Sequence, residues 1–291
     1  MKTKIPLAIL IILLVSLSCM ASVSSQALMQ TKGDSNVQAS ELDQNKAPNK
    51  KPAQGIATGN VSELAKGADK WALIIGISDY AGTVNDLNYC DDDAQDFYNA
   101  LVNIYDWKPS HIIVLINEQA TEAAIMSAID VLSTREQAGD EVVFFYSGHG
   151  SLSTYDIDSD NERKDECIIP YECQQSYFIW DGELKMEFST FESNRIMFFF
   201  DSCYAGGMTD LVAPGRLILM ACGENQLSIE SSTWENGQFT YYFADQGMLN
   251  HKADLNSDQK VTFEEAFDYA KAHCRSQTPT ASDSFACDML P

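Results

Sequence analysis

Unbroken apolar runs recur along this chain, separated by longer stretches in which apolar residues return every three or four positions. The first run is Trp71-Ala72-Leu73-Ile74-Ile75-Gly76-Ile77. Others cover residues 112–116, 141–146, 195–200 and 217–221. A strand covered on both faces reads this way, because neither face has to meet water. A shorter run, Cys167-Ile168-Ile169, stops at Pro170. The helical period predicts helices over 94–104, 120–136, 181–192, 239–248 and 263–273. Strands alternating with helices predict an α/β fold, a three-layer sandwich with a mostly parallel central sheet covered by helices on both faces. Reactive groups in such sheets gather at the carboxyl ends of the strands.

The pattern is absent at both ends. Residues 28–69 are rich in Gln, Asn, Ser, Lys and Ala and read as a flexible linker. Residues 70–277 hold the predicted domain, and 278–291 read as a C-terminal tail. Residues 1–27 combine Lys2 and Lys4, an apolar run from Ile5 to Leu17 and small residues ending at Ala27, which predicts a signal peptide and a secreted or extracytoplasmic protein. Left uncleaved, the segment would anchor the chain, and this is the one expected contact with a membrane. Ser16-Leu17-Ser18-Cys19 would instead suit lipidation.

The chain has 291 residues, with 19 Lys and Arg against 42 Asp and Glu, a net charge of −23. Such an excess repels phosphate backbones, so no nucleic-acid partner is expected. Acidic clusters suit divalent cations or basic substrates. Eight cysteines are present. Cys167 with Cys173, and Cys274 with Cys287, are close enough in sequence to pair, but nothing decides it. No CxxC spacing points to zinc.

Two predicted strands end in segments able to carry chemistry. Ser147-Gly148-His149-Gly150 follows one, and Asp201-Ser202-Cys203-Tyr204-Ala205-Gly206-Gly207 follows another. A thiol attacks a peptide carbonyl as thiolate and needs a neighbouring base. Glycines beside both residues let the backbone turn and approach a substrate. Alone, the cysteine would be a small core residue and the histidine a loop residue. Together at parallel strand ends, they make Cys203 a candidate nucleophile and His149 its acid–base partner.

These segments, with Trp71–Ile77 and Gly237-Gln238-Phe239-Thr240, resemble caspase-like cysteine peptidases of family C14, and metacaspases among them, in order over about residues 70 to 250. His149 and Cys203 are 54 residues apart, similar to the caspase spacing of about 50. The resemblance implies a caspase-like fold and a cysteine endopeptidase working through an acyl-enzyme. The backbone N–H groups of Gly150 and Cys203 would then stabilise the oxyanion. In Leu87-Asn88-Tyr89-Cys90-Asp91-Asp92-Asp93-Ala94, Asp93 maps to one wall of the metacaspase S1 pocket and Asp201 to the other. Two carboxylates imply protein or peptide substrates cleaved after Arg or Lys. Asp93 would otherwise be a solvated helix cap. A legumain-like peptidase with another P1 preference, or a calcium-binding scaffold without turnover, are the rival readings. Arg216 and the linker lysines are candidate self-cleavage sites.

The resemblance also implies calcium, with Asp165, Asp181 and Asp210 as ligands; Gly182 stands where a second Asp is frequent. Asp156, Asp158, Asp160 and Glu162 form a nearby acidic run. A second candidate is an EF-hand-like loop over residues 254–265. Asp254, Asn256, Asp258, Thr262 and Glu265 stand at its ligand positions, with the Lys260 carbonyl between them. Gln259 sits where a left-handed turn usually needs glycine. A structural turn with incidental acids is the alternative.

Overall fold

In the computed structural model, residues 55–157 and 164–291 are described. The predicted signal peptide, residues 28–54 of the linker, and Asp158, Asp160 and Glu162 lie outside them.

The described chain runs β1 (Val61–Ser62), β2 (Lys70–Gly76), α1 (Cys90–Ile104), β3 (Ile112–Ile116), α2 (Glu122–Arg135), β4 (Glu141–Ser147), β5 (Gly150–Leu152), β6 (Glu166–Ile168), β7 (Ile179–Trp180), α3 (Asp181–Phe188), β8 (Ile196–Asp201) and β9 (Arg216–Met220). It continues through β10 (Glu230–Ser231), β11 (Asn236–Gly237), α4 (Gln238–Thr240), a π-helical stretch over Tyr241–Leu249, α5 (Phe263–His273), β12 (Thr280–Asp283) and β13 (Asp288–Met289).

The central sheet has the order β12-β9-β8-β4-β2-β3. Only the β12–β9 pair is antiparallel. This is the predicted three-layer arrangement, and its cause is the side-chain alternation of the apolar runs. Leu73, Ile75, Phe144, Tyr146, Phe198 and Phe200 pack on the α2 and α3 face. Ala72, Ile74, Phe145, Phe199 and Leu217 face α1, the π-helical stretch and α5. There Phe97, Phe145, Phe199 and Phe239 stack in succession with ring centroids 4.5, 4.8 and 4.7 Å apart.

The structure corrects the expected domain edges. Residues 55–69 are docked, although the sequence reads as linker. Asp268 of α5 accepts from the N–H groups of Ile56 and Ala57, Asp288 accepts from those of Thr58 and Gly59, and β1 pairs with β13. Arg195 holds Ser62 on one side and Glu141 on the other. The expected tail supplies the sheet's sixth strand, β12. Helix α1 starts four residues earlier than predicted, placing Asp91, Asp92 and Asp93 in its first turn, where the helix dipole favours carboxylates. Helix α3 ends at Phe188 rather than Glu192, because the Ser189 and Thr190 hydroxyls donate to the carbonyls of Met186 and Glu187.

Several acids lie inside this fold. Burial holds the Glu141 carboxyl above the usual range despite Arg195 at 2.9 Å, and holds that of Glu264 well above it. The native state therefore keeps protons that the unfolded chain releases. That contribution to stability is whole below the ordinary carboxylate range and is lost as pH rises through the raised folded-state values. Thermal midpoints measured between about pH 5 and about pH 8 should fall with rising pH; a midpoint that climbs over this window would contradict the protonated interior.

Candidate active site

Strands β4 and β8 run side by side in parallel with Ser147 opposite Asp201. The Gly148 N–H donates to the Asp201 carbonyl at 3.3 Å. His149 and Cys203 are each two residues beyond that pair, so equal steps bring them to one end of the sheet on adjacent strands. A Cβ built on Gly150 would stand 2.2 Å from the Cys203 carbonyl oxygen, so only glycine permits this approach. The structure thus places the two proposed oxyanion residues, Gly150 and Cys203, backbone to backbone.

His149 is fixed on three sides. Its N–H donates to the Tyr80 hydroxyl at 2.7 Å, and its carbonyl accepts from the Tyr146 hydroxyl at 2.6 Å. Its Nε2 lies 2.8 Å from the Asn85 carbonyl. A carbonyl only accepts, so Nε2 carries the proton and Nδ1 is the basic nitrogen. Burial lowers the His149 pKa, and the Asn85 carbonyl opposes that shift. The imidazole is therefore kept neutral near neutral pH.

Cys203 is 5 % exposed, and its Sγ lies 4.0 Å from the Ser228 carbonyl. Burial pushes its thiol up to about 12, so the resting group is a thiol. Tyr204, next in the chain, has φ +61°, a left-handed conformation rare outside glycine. Its N–H is held by the Gln226 carbonyl at 2.8 Å. A strained residue directly after the candidate nucleophile fits a turn shaped for function rather than stability.

The two predicted pocket carboxylates meet. A Cβ on Gly237 would be 2.5 Å from Asp201 Oδ2 and 2.9 Å from Asp93 Oδ2, so both crowd one backbone point. Asp93 is fully buried and accepts from the Ser147 hydroxyl at 2.7 Å and the Gly237 N–H at 2.9 Å. It is not a helix cap; Tyr89 occupies that position. Asp201 accepts from the Ser228 hydroxyl at 2.5 Å and from the N–H and hydroxyl of Thr240 at 3.0 and 2.8 Å. Burial, then repulsion from Asp201, holds Asp93 well above the usual carboxylate range; burial also raises Asp201, with Glu230 adding to it. A low-dielectric pair of acids attracts a cation more strongly than either would in water.

Sequence reading passed over Asn85, Tyr80, Ser228, Thr240, Gln277 and Glu230. Glu230 is a further carboxylate, near enough to raise the Asp201 pKa, and it gathers the N–H groups of Asn88 and Tyr89 ahead of α1. Thr240 lies in the Gly237–Thr240 segment, but Asn85 and Ser228 act partly through their carbonyls, which no residue type announces.

The expected calcium ligands fare unevenly. Pairing of β6 with β7 sets Asp165 near Asp181, whose Oδ2 is 3.5 Å from the Glu166 N–H. Asp210 is bound to the Lys185 ammonium at 3.0 Å, so a dication held by this set would have to displace that ion pair. In the 254–265 loop, Asp254 accepts from the N–H groups of Asp258 and Gln259, Asn256 from Asp258, Asp258 from Lys260, and Glu265 from Thr262. Gln259 takes the left-handed turn itself, with φ +69°. Burial raises the Glu265 pKa first, and Asp258 and Asp254 add to it. These all-oxygen donors with mutual repulsion fit calcium chemically. Among the described residues, no three His, Cys, Asp or Glu side chains are grouped tightly enough to hold a metal ion between them.

The seven described cysteines are free thiols, so neither sequence-adjacent pair is bridged. Arg216 is a poor self-cleavage site, being part of β9 with its guanidinium on the carbonyls of Leu211 and Phe188.

Residues 70–212 match the family described as Metacaspase, peptidase C14 domain. Metacaspase-1 of Saccharomyces cerevisiae is 34 % identical over 149 residues, which cover 48 % of this chain and 34 % of that protein. Metacaspase-4 of Arabidopsis thaliana is 32 % identical over 147 residues, covering 48 % and 34 % respectively. The matches thus span about a third of these relatives. A crystal structure of a Geobacter sulfurreducens protein shares the fold, with a TM-score of 0.57 and 20 % identity over 76 % of this chain and 95 % of that one. Residues 70–212, which include the segments around His149 and Cys203, therefore form a caspase-like domain that matches the metacaspase peptidase C14 family.

Proposed function

We propose that this protein is a cysteine endopeptidase that hydrolyses peptide bonds after Arg or Lys in protein substrates, with Cys203 as nucleophile and His149 as acid–base partner. The observation that carries the reading is the buried Asp93–Asp201 pair beside the Cys203 turn. Two acids crowded together in a buried site are costly unless a cation arrives, and a Lys or Arg side chain supplies one. Nδ1 of His149 accepts the thiol proton as Cys203 attacks, then returns it to the leaving amine while the acyl-enzyme forms. Water deacylates the enzyme by the same groups in reverse order. The Gly150 and Cys203 N–H groups would hold the oxyanion.

Calcium, taken by the 254–265 loop through Asp254, Asn256, Asp258, Thr262, Glu265 and the Lys260 carbonyl, belongs to the same proposal. It would supply charge neutralisation among these acids and rigidity to the N-terminus of α5. Lys260 also pairs with Glu63 of the docked N-terminal segment at 2.5 Å, so an ordered loop would steady that segment too. Export directed by residues 1–27 completes the reading.

A fluorogenic library with Arg, Lys, Asn or Asp at P1 tests it. Arg and Lys reporters should be cleaved at least about a hundredfold faster than Asn or Asp ones, the range open to a site built around a charge partner. A chelator should lower both the rate and the thermal midpoint, and calcium should restore them. Cleavage after Asn alone would favour the legumain-like alternative.

A further inference from the structure

The pocket and the nucleophile share one residue. Ser228 is 1 % exposed; its hydroxyl donates to Asp201 Oδ1 at 2.5 Å, while its carbonyl faces Cys203 Sγ at 4.0 Å. The residues around it form a strap across the cleft. Gln277 accepts from the Ile229 N–H at 2.8 Å and donates to the Ser228 hydroxyl at 3.2 Å. The Ile229 carbonyl accepts from the Gln238 N–H at 2.7 Å, and Glu230 fastens the far end to Asn88 and Tyr89. The strap lies at the surface: Leu227 and Ile229, on either side of Ser228, are 41 % and 37 % exposed.

A guanidinium or ammonium approaching Asp201 meets an acceptor already taken by a hydroxyl. A bond between two ions is stronger than one from a neutral hydroxyl, so the exchange favours the cation. Rotation about Cα–Cβ frees the hydroxyl alone, but Ser228, Asp201 and Asp93 are 1 %, 3 % and 0 % exposed, so a side chain that enters beside Asp201 must also displace the buried residue, whose backbone includes the carbonyl lying over the sulfur.

We propose that Ser228 plugs the basic-residue pocket, and that a P1 cation which takes Asp201 from it also lifts its carbonyl off Cys203. The proposal rests on the Asp93–Asp201 pair being the P1 pocket. Ser228 is then a positioning residue that makes exposure of the nucleophile conditional on the correct side chain. A pocket without such a plug would behave in the opposite way, since a small cation bound beside Cys203 would only shield it.

The test follows alkylation of Cys203 by iodoacetamide in the full chain, read by mass spectrometry of the Cys203 peptide. n-Butylguanidine serves as a P1 side chain without a scissile bond, and n-butylurea as its neutral control. Butylguanidine should speed labelling of the wild type about tenfold, as a buried thiol becomes accessible, and butylurea should not. Ser228→Ala should label at the raised rate without any addition and gain nothing from butylguanidine. Gln277→Ala, which loosens the same strap from its other side, should shift in the same direction, and the wild-type comparison decides the matter if either variant does not fold. Unchanged or slower wild-type labelling alongside efficient cleavage of Arg and Lys reporters overturns the plug and leaves the pocket standing. Failure of those reporters removes the pocket, and the plug with it.

Discussion

Replacing Cys203 with alanine should abolish cleavage, lowering kcat/KM by about 10⁴-fold or more, while the thermal midpoint moves by only a few degrees. The asymmetry follows from what the sulfur does in the resting structure. Its described polar neighbour is a carbonyl at 4.0 Å, a weak contact, so deleting one atom leaves little unsatisfied. In the proposed mechanism it has no substitute: with the thiol protonated and the imidazole neutral, reaction begins only when one proton moves from Sγ to the ring. His149→Ala should cost nearly as much, and the double variant no more than the worse single one, because the two groups act as a unit. His149→Ala carries a larger structural penalty, since Tyr80 packs 4.8 Å from the ring and Asn85 loses its donor. Turnover by purified Cys203→Ala, measured on reporters and on a protein substrate, would show that the nucleophile lies elsewhere.

The central sheet was legible because most of its strands are buried on both faces. Five of the six, β2, β3, β4, β8 and β9, read as uninterrupted apolar runs, and their helices as the periodic stretches between. The sixth, β12, is Thr280-Ala281-Ser282-Asp283. It sits at the sheet edge with polar side chains at the surface, and nothing in those four residues separates an edge strand from a tail. Strands β5, β7, β10 and β11 have only two or three residues each, too few for any period to show. The docked segment before β2 escaped notice for a related reason. It is held through its own N–H groups by Asp268 and Asp288, more than two hundred residues away in sequence, and a backbone donor leaves no mark on residue type.

The site divides in the same way. His149, Cys203, Asp93 and Asp201 are chemically conspicuous residues at strand ends or in an acidic run, so sequence alone could nominate them. Their bringing together depends on the Ser147–Asp201 register and on glycine at 150 and 237, which a reader of the chain sees only as turn residues. Asp210 shows the limit. Its distance from the other acids in the chain says nothing of Lys185, which lies one turn into α3 and reaches it across the fold.

Asp93→Asn should cut kcat/KM for Arg and Lys reporters by about a hundredfold or more, the effect of losing about 3 kcal/mol from a buried charge partner. The same change should leave the protein as stable at neutral pH, or more so. The amide can keep both contacts, its oxygen accepting from the Gly237 N–H and its NH₂ donating to the Ser147 hydroxyl. What disappears is one of two mutually repelling buried acids. In the wild type both carboxyls titrate above the ordinary range, so the folded chain holds a proton there that the unfolded chain has released. Stability from the pair is therefore lost as pH rises, and that loss should shrink in the variant. The P1 cation works in the other direction. It prefers the ionised pair, so wild-type cleavage after Arg or Lys should strengthen with pH over the window in which the free enzyme loses stability. Full activity in Asp93→Asn would detach the buried pair from substrate recognition. A stability loss with activity intact would make Asp93 a structural acid and leave Asp201 as the carboxylate that meets the substrate.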